Sequence, residues 1–145
     1  MNTELMFSSK EECWETPQDF FDELDEEFHF TVDVCADQSN HKCVRYYTEK
    51  KDGLQQSWQG EVVWCNPPYG RKIGKWVEKS FDEVYKNGCK IAVLLLPART
   101  ETKWFHDFVL HRAEIRFIKG RLKFGGSKYN APFPSMVVVF RGKGE

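Results

Sequence analysis

Two consecutive prolines directly after an apolar, β-branched run constrain this chain more than any other feature. Val62-Val63-Trp64-Cys65 reads as a buried strand, and Asn66-Pro67-Pro68 has to end it. Each proline lacks a ladder donor and fixes φ, and the residue before a proline is pushed out of the helical region. A helix is predicted next, over Ile73 to Lys86, from apolar residues at 73, 76, 77, 81, 84 and 85. Ile91 to Leu96, closed by Pro97, is the most apolar run and reads as a central, parallel strand covered on both faces.

The rest of the chain continues this alternation. Thr16 supplies an N-cap hydroxyl and Pro17 a first helical residue for Gln18 to Phe28, whose apolar residues fall at 20, 21, 24 and 28. Phe30 to Cys35 and the shorter Val44 to Thr48 read as strands, with a turn at Ala36-Asp37-Gln38-Ser39-Asn40 after the first. A helix around Glu101 to Leu110, a strand over Glu114 to Lys119, a turn at Gly125-Gly126 and a last strand over Met136 to Phe140 complete the reading. The fold class expected is α/β: a doubly wound, mostly parallel sheet ending in an antiparallel C-terminal strand pair. At 145 residues the chain is expected to be a single domain, 1–145, with no separate target-recognition domain. In such sheets ligands collect beyond the carboxyl ends of the strands, which directs attention to residues 33 to 37 and 66 to 69.

Several function classes drop out on composition. No apolar stretch approaches the roughly 20 residues needed to cross a bilayer, and residues 1 to 7 lack the layout of a secretory signal, so a cytoplasmic protein with no membrane partner is expected. The five cysteines, at 13, 35, 43, 65 and 89, are scattered without a C-x-x-C pair, and the four histidines lack i, i+4 spacing. Small buried thiols and no metal site are expected. Charge is divided unevenly: 5 Lys and Arg against 14 Asp and Glu through residue 60, then 16 against 8 beyond it. The basic part, with aromatics interleaved around Lys103-Trp104-Phe105-His106 and Arg121-Leu122-Lys123-Phe124, suits either a phosphate backbone or pairing with the acidic half.

The double-proline corner carries chemistry of its own. The Asn66 side-chain oxygen and the Pro67 carbonyl are two acceptors able to take both hydrogens of an exocyclic amino group, while Tyr69 stacks on the ring that bears it. A planar amine such as adenine satisfies that arrangement.

In this context Asn66-Pro67-Pro68-Tyr69 resembles the signature of S-adenosylmethionine-dependent amino-methyltransferases. The chain from Trp14 to Phe140 resembles the small phage-type DNA N6-adenine methyltransferases. The resemblance rests on the order of Trp14-Glu15-Thr16-Pro17, Asp33-Val34-Cys35-Ala36, Asp52-Gly53-Leu54, Asn66 to Gly70, Leu96 to Thr100, Trp104-Phe105-His106, Gly120-Arg121-Leu122 and Ala131 to Ser135. It implies Asn66, Pro67, Pro68 and Tyr69 as catalytic residues. It further implies Asp33 opposite the methionine ammonium of the cofactor, with Cys35 and Ala36 small enough for close approach. Thr16 and Pro17 fall across the cofactor tail, a role compatible with helix capping, and Asp52 at the cofactor's adenine amino group or simply in an Asp-Gly turn. Phe133 is implied as an aromatic against the second face of an extruded base, or alternatively as a core residue. Arg99, Lys103, Arg121 and Lys123 are candidate phosphate contacts.

Trp14 and Trp58 read as core residues rather than as platforms. The loop Ala36 to Asn40 has no glycine, unlike the cofactor loop of methyltransferases in general, and leaves Asp37 and Glu49 both open as the ribose-binding acid. The expected reaction is methyl transfer from S-adenosylmethionine to adenine N6 in DNA. Transfer to RNA adenine or a protein glutamine, or DNA binding without catalysis, are the alternatives. Target reading is expected from loops 99 to 107 and 120 to 135, or from a second subunit of a homodimer.

Overall fold

The computed structural model describes residues 14–125 and 130–145. Residues 1 to 7, Cys13 and Gly126, on which parts of the sequence reading fall, lie outside them. The elements are α1 (Gln18–Phe28), β1 (Val32–Asp33), a 3-10 turn (Gly53–Gln55), β2 (Val62–Cys65), α2 (Ile73–Lys86), β3 (Ile91–Pro97), a π-helical turn (Phe105–Val109), β4 (Glu114–Phe117) and β5 (Ser135–Arg141). The sheet is open, with strand order β1-β2-β3-β5-β4. β1, β2 and β3 run parallel, with Val32 opposite Val63 and Val63 opposite Ala92. β5 lies between β3 and β4 and is antiparallel to both.

Side chains alternate across a strand, so successive residues of β2, β3 and β5 feed opposite layers. Trp64, Val93, Leu95 and Val139 pack with Phe21, Leu24 and Phe28 of α1. Val63, Cys65, Ala92, Leu94 and Val138 pack with Trp76, Val77 and Val84 of α2. Both faces of the central strands are therefore covered, which accounts for their unbroken apolar runs. The parallel β1, β2 and β3 bring residues 33 to 37 and 66 to 69 to the same sheet edge.

Four local expectations are corrected. Thr16 does not cap α1: Pro17 is the N-cap residue, no side chain caps the helix, and the Thr16 hydroxyl is engaged elsewhere. The strand expected over Phe30 to Cys35 shrinks to Val32–Asp33, because the Asp33 carboxylate accepts the backbone N–H groups of Cys35 and Lys42 and turns the chain. Of Val44 to Thr48 only Tyr46 bridges the sheet, parallel to Asp33. The helix expected near Glu101 to Leu110 contains a π-helical turn over Phe105–Val109, closed by the Leu110 N–H donating to the Phe105 carbonyl at 2.9 Å.

Cys43, Cys65 and Cys89 are buried, and burial pushes the thiols of Cys43 and Cys89 up to about 12, so they behave as small core groups. Part of the basic half pairs with the acidic half: Arg116 donates to both carboxylate oxygens of Glu27, at 2.7 and 2.6 Å, and this bond holds the Glu27 carboxyl below its ordinary value. Among the described residues no helix is long and apolar enough to cross a membrane.

Candidate active site

The Asn66 side chain is held from one side. Its Nδ2 donates to the Trp14 backbone carbonyl and to the Thr16 hydroxyl oxygen, the latter at 2.9 Å. A backbone carbonyl only accepts, so the amide has to turn its nitrogen toward Trp14. Oδ1 is then left buried with no hydrogen-bond partner among the described residues. The Pro67 carbonyl likewise accepts no hydrogen bond among them. Two adjacent acceptors thus stand unused at the carboxyl end of β2, where buried acceptors are ordinarily satisfied.

Tyr69 is anchored by its hydroxyl, which donates to the Leu95 carbonyl at 2.8 Å, and burial pushes the phenol well above its ordinary value, so it stays protonated. Its ring forms part of the wall of a cavity of about 370 Å³ together with Trp14, Ile73, Arg99, Trp104 and Phe133. Phe133 meets Tyr69 edge to face, with centroids 5.5 Å apart, and meets Trp14 at 5.2 Å. The wall is aromatic and one cation, Arg99, stands at it. A planar heterocycle attached to a phosphate suits such a wall.

Asp33, Cys35, Ala36 and Asp52 are not part of that wall; they gather at the neighbouring end of β1. Asp33 is 3% exposed. Its Oδ2 accepts the Lys42 N–H at 2.9 Å and its Oδ1 the Cys35 N–H at 3.2 Å. Burial raises its carboxyl above the ordinary value despite these bonds. It forms no ion pair among the described residues. A Cβ on Gly53 would fall 2.1 Å from the Val34 carbonyl oxygen, so only glycine lets the 52–54 loop press against this strand end. Asp52, at φ 59°, accepts the Leu54 N–H at 3.1 Å and so serves the Asp-Gly turn reading. The Cys65 thiol, at the end of β2, is pushed well above its ordinary value by burial first and then by Cys35 and Asp33.

A model of the family described as DNA N-6-adenine-methyltransferase (Dam) matches residues 4–142. The chain belongs to this family. One relative is the DNA N-6-adenine-methyltransferase of Escherichia phage T1, 29% identical over 113 residues, or 77% of the present chain. The match covers 46% of that relative's length.

Within this Dam-family chain the remaining basic residues divide. Arg99 donates to Glu101 at 2.9 Å while bordering the cavity, and exposed Lys103 pairs with Asp107. Arg121 and Lys123 are exposed and form no ion pair among the described residues. Asp37 uses Oδ1 to close its own turn on Ser39 and Asn40, and Glu49 is exposed, so neither is singled out for a ribose. Trp58 is a core residue as expected, fully buried with its indole N–H on the Gly53 carbonyl. Trp14 is half-buried: it packs against the core beside Phe124 and Phe133, borders the cavity, and holds Asn66 with its carbonyl. Trp104, to which the sequence gives no site role beyond the Trp104-Phe105-His106 run of the family resemblance, is a further wall residue.

Proposed function

We propose that this chain transfers a methyl group from S-adenosylmethionine to the N6 amino group of adenine in DNA, on a Rossmann-like methyltransferase domain. The observation that carries this reading is Asn66 Oδ1, a buried acceptor without a partner among the described residues, followed by the similarly unused Pro67 carbonyl, on the same corner whose Tyr69 lines the aromatic cavity. Bound S-adenosylmethionine supplies an electrophilic methyl carbon on a sulfonium centre. The donor set at the end of β1 fits such a cation: Asp33 is a buried carboxylate whose partners are backbone N–H groups and no ammonium or guanidinium among the described residues. Cys35, Ala36, Pro17 and Asp52 complete the proposed cofactor side.

The amino nitrogen of adenine is a poor nucleophile because its lone pair is spread into the ring. Oδ1 of Asn66 and the carbonyl of Pro67 take one amino hydrogen each and draw them out of the ring plane, which returns the lone pair to nitrogen. Tyr69 and Phe133 hold the ring. After transfer the nitrogen carries the charge and releases its extra proton to water; Asn66 stays a neutral amide throughout. The base has to leave the duplex, at a cost of a few kcal/mol that stacking and phosphate contacts from Arg99, Lys103, Arg121 and Lys123 offset.

Purified protein given methyl-labelled S-adenosylmethionine together with DNA, RNA and protein acceptors is expected to label adenine N6 in DNA. Asn66→Ala is expected to abolish labelling while cofactor affinity changes by less than about threefold. Label on RNA or protein instead, or cofactor bound with no labelled product, overturns the proposal.

A further inference from the structure

An asparagine can present either end of its amide to a substrate, and at this corner only one end works. With the nitrogen outward, Asn66 would set donors against the amino hydrogens of the base. We infer that Thr16 is a positioning residue that, together with the Trp14 carbonyl, locks the Asn66 amide with its oxygen toward the substrate. The inference rests on the methyl-transfer reading above and names residues that act through Asn66 rather than on the base.

Both hydrogens of Nδ2 are spoken for, one by the Trp14 carbonyl and one by Thr16 Oγ1. The division of labour follows from their chemistry. A flipped amide would bring Oδ1 against the Trp14 carbonyl, two acceptors in contact, so the backbone carbonyl sets the sense. The hydroxyl, which accepts the second hydrogen, fixes the plane. Thr16 is 2% exposed and does not cap α1, so this bond is what its hydroxyl does among the described residues. The segment that carries both acceptors is itself fastened. The Glu15 carbonyl accepts the Gly125 N–H at 2.8 Å, and the Trp14 ring meets Phe133 and Phe124 edge to face. Residues 14 to 16 therefore place Asn66 and the aromatic Phe133 against one reference.

Thr16→Val keeps the shape and removes the acceptor; Thr16→Ser keeps the hydroxyl. Thr16→Val is expected to lower kcat for DNA methylation by about tenfold or more, with KM for DNA and for S-adenosylmethionine within about twofold, and Thr16→Ser to recover most of the loss. The side-chain amide signals of Asn66, identified by their loss in Asn66→Ala, give a reading independent of activity. In the unmodified protein both amide protons are expected to exchange slowly with water, and Thr16→Val is expected to shift and deprotect one of them. A Thr16→Val protein with unchanged kcat, with a raised cofactor KM instead of a lowered kcat, or with unmoved Asn66 amide signals overturns the inference. A parent protein that methylates no DNA overturns the functional reading instead, and the amide spectrum still reports whether Thr16 holds Asn66.

Discussion

The Tyr69 hydroxyl donates to the Leu95 carbonyl at 2.8 Å, which ties the corner after β2 to the middle of β3, the central strand. The ring is thus held at the cavity by a bond at its far end. Tyr69→Phe is expected to keep the aromatic face and lose about 1 kcal/mol of stability, read by urea unfolding. Tyr69→Ala removes the face itself and is expected to weaken DNA binding by about 1–3 kcal/mol, seen in KM for DNA, with cofactor binding retained. Equal effects of the two substitutions on KM would contradict a stacking role.

Asp33 makes the chain sensitive to pH in a stated direction. Burial raises its carboxyl above the ordinary 3.8, against the opposing effect of the Lys42 and Cys35 N–H groups. A raised value means that the folded protein holds this proton more tightly than the unfolded chain does. Ionisation of Asp33 therefore costs stability, and its contribution falls as pH rises from 3.8 through the raised value. A cation bound beside the carboxylate favours the ionised form, so S-adenosylmethionine affinity is expected to rise over the same window. Unfolding midpoints and calorimetric titrations from about pH 4 to about pH 7 measure both trends, and Asp33→Asn is expected to flatten them. Unaltered slopes in that variant would assign the trends to other groups.

Arg121 and Lys123 are exposed without an ion pair among the described residues, so replacing both with Ala removes charge and breaks no ion pair among them. DNA affinity is expected to fall alike for all sequences, and the slope of log K against log salt to become shallower by about two, with the melting temperature unchanged. Arg116 serves as the contrast. Its guanidinium is bound to Glu27 of α1, and Arg116→Ala is expected to act on stability and leave the salt slope alone.

The helices Gln18–Phe28 and Ile73–Lys86 were legible from their apolar spacing, a local property, although the cap of the first was not, because the Thr16 hydroxyl is drawn to Asn66. β2 and β3 were legible for the same reason. The position of β5 between β3 and β4 was not, since a strand's neighbours are chosen by non-local pairing that its own residues do not encode. The shortening of the first strand was hidden in the Asp33 side chain, whose competition for backbone N–H groups depends on where Lys42 returns.

The candidate site divides along the same line. By itself the order of residues determined a rigid corner after a buried strand, with two carbonyl-type acceptors and a tyrosine on it, because proline removes donors and fixes φ whatever surrounds it. Which amide atom of Asn66 is left over was decided only in three dimensions. The carbonyl that claims its nitrogen belongs to Trp14, 52 residues away, and the hydroxyl beside it to Thr16, a residue whose local sequence marks it as a helix cap. A hydrogen bond between such distant segments depends on packing α1 and its leading residues across the sheet, which no local pattern expresses.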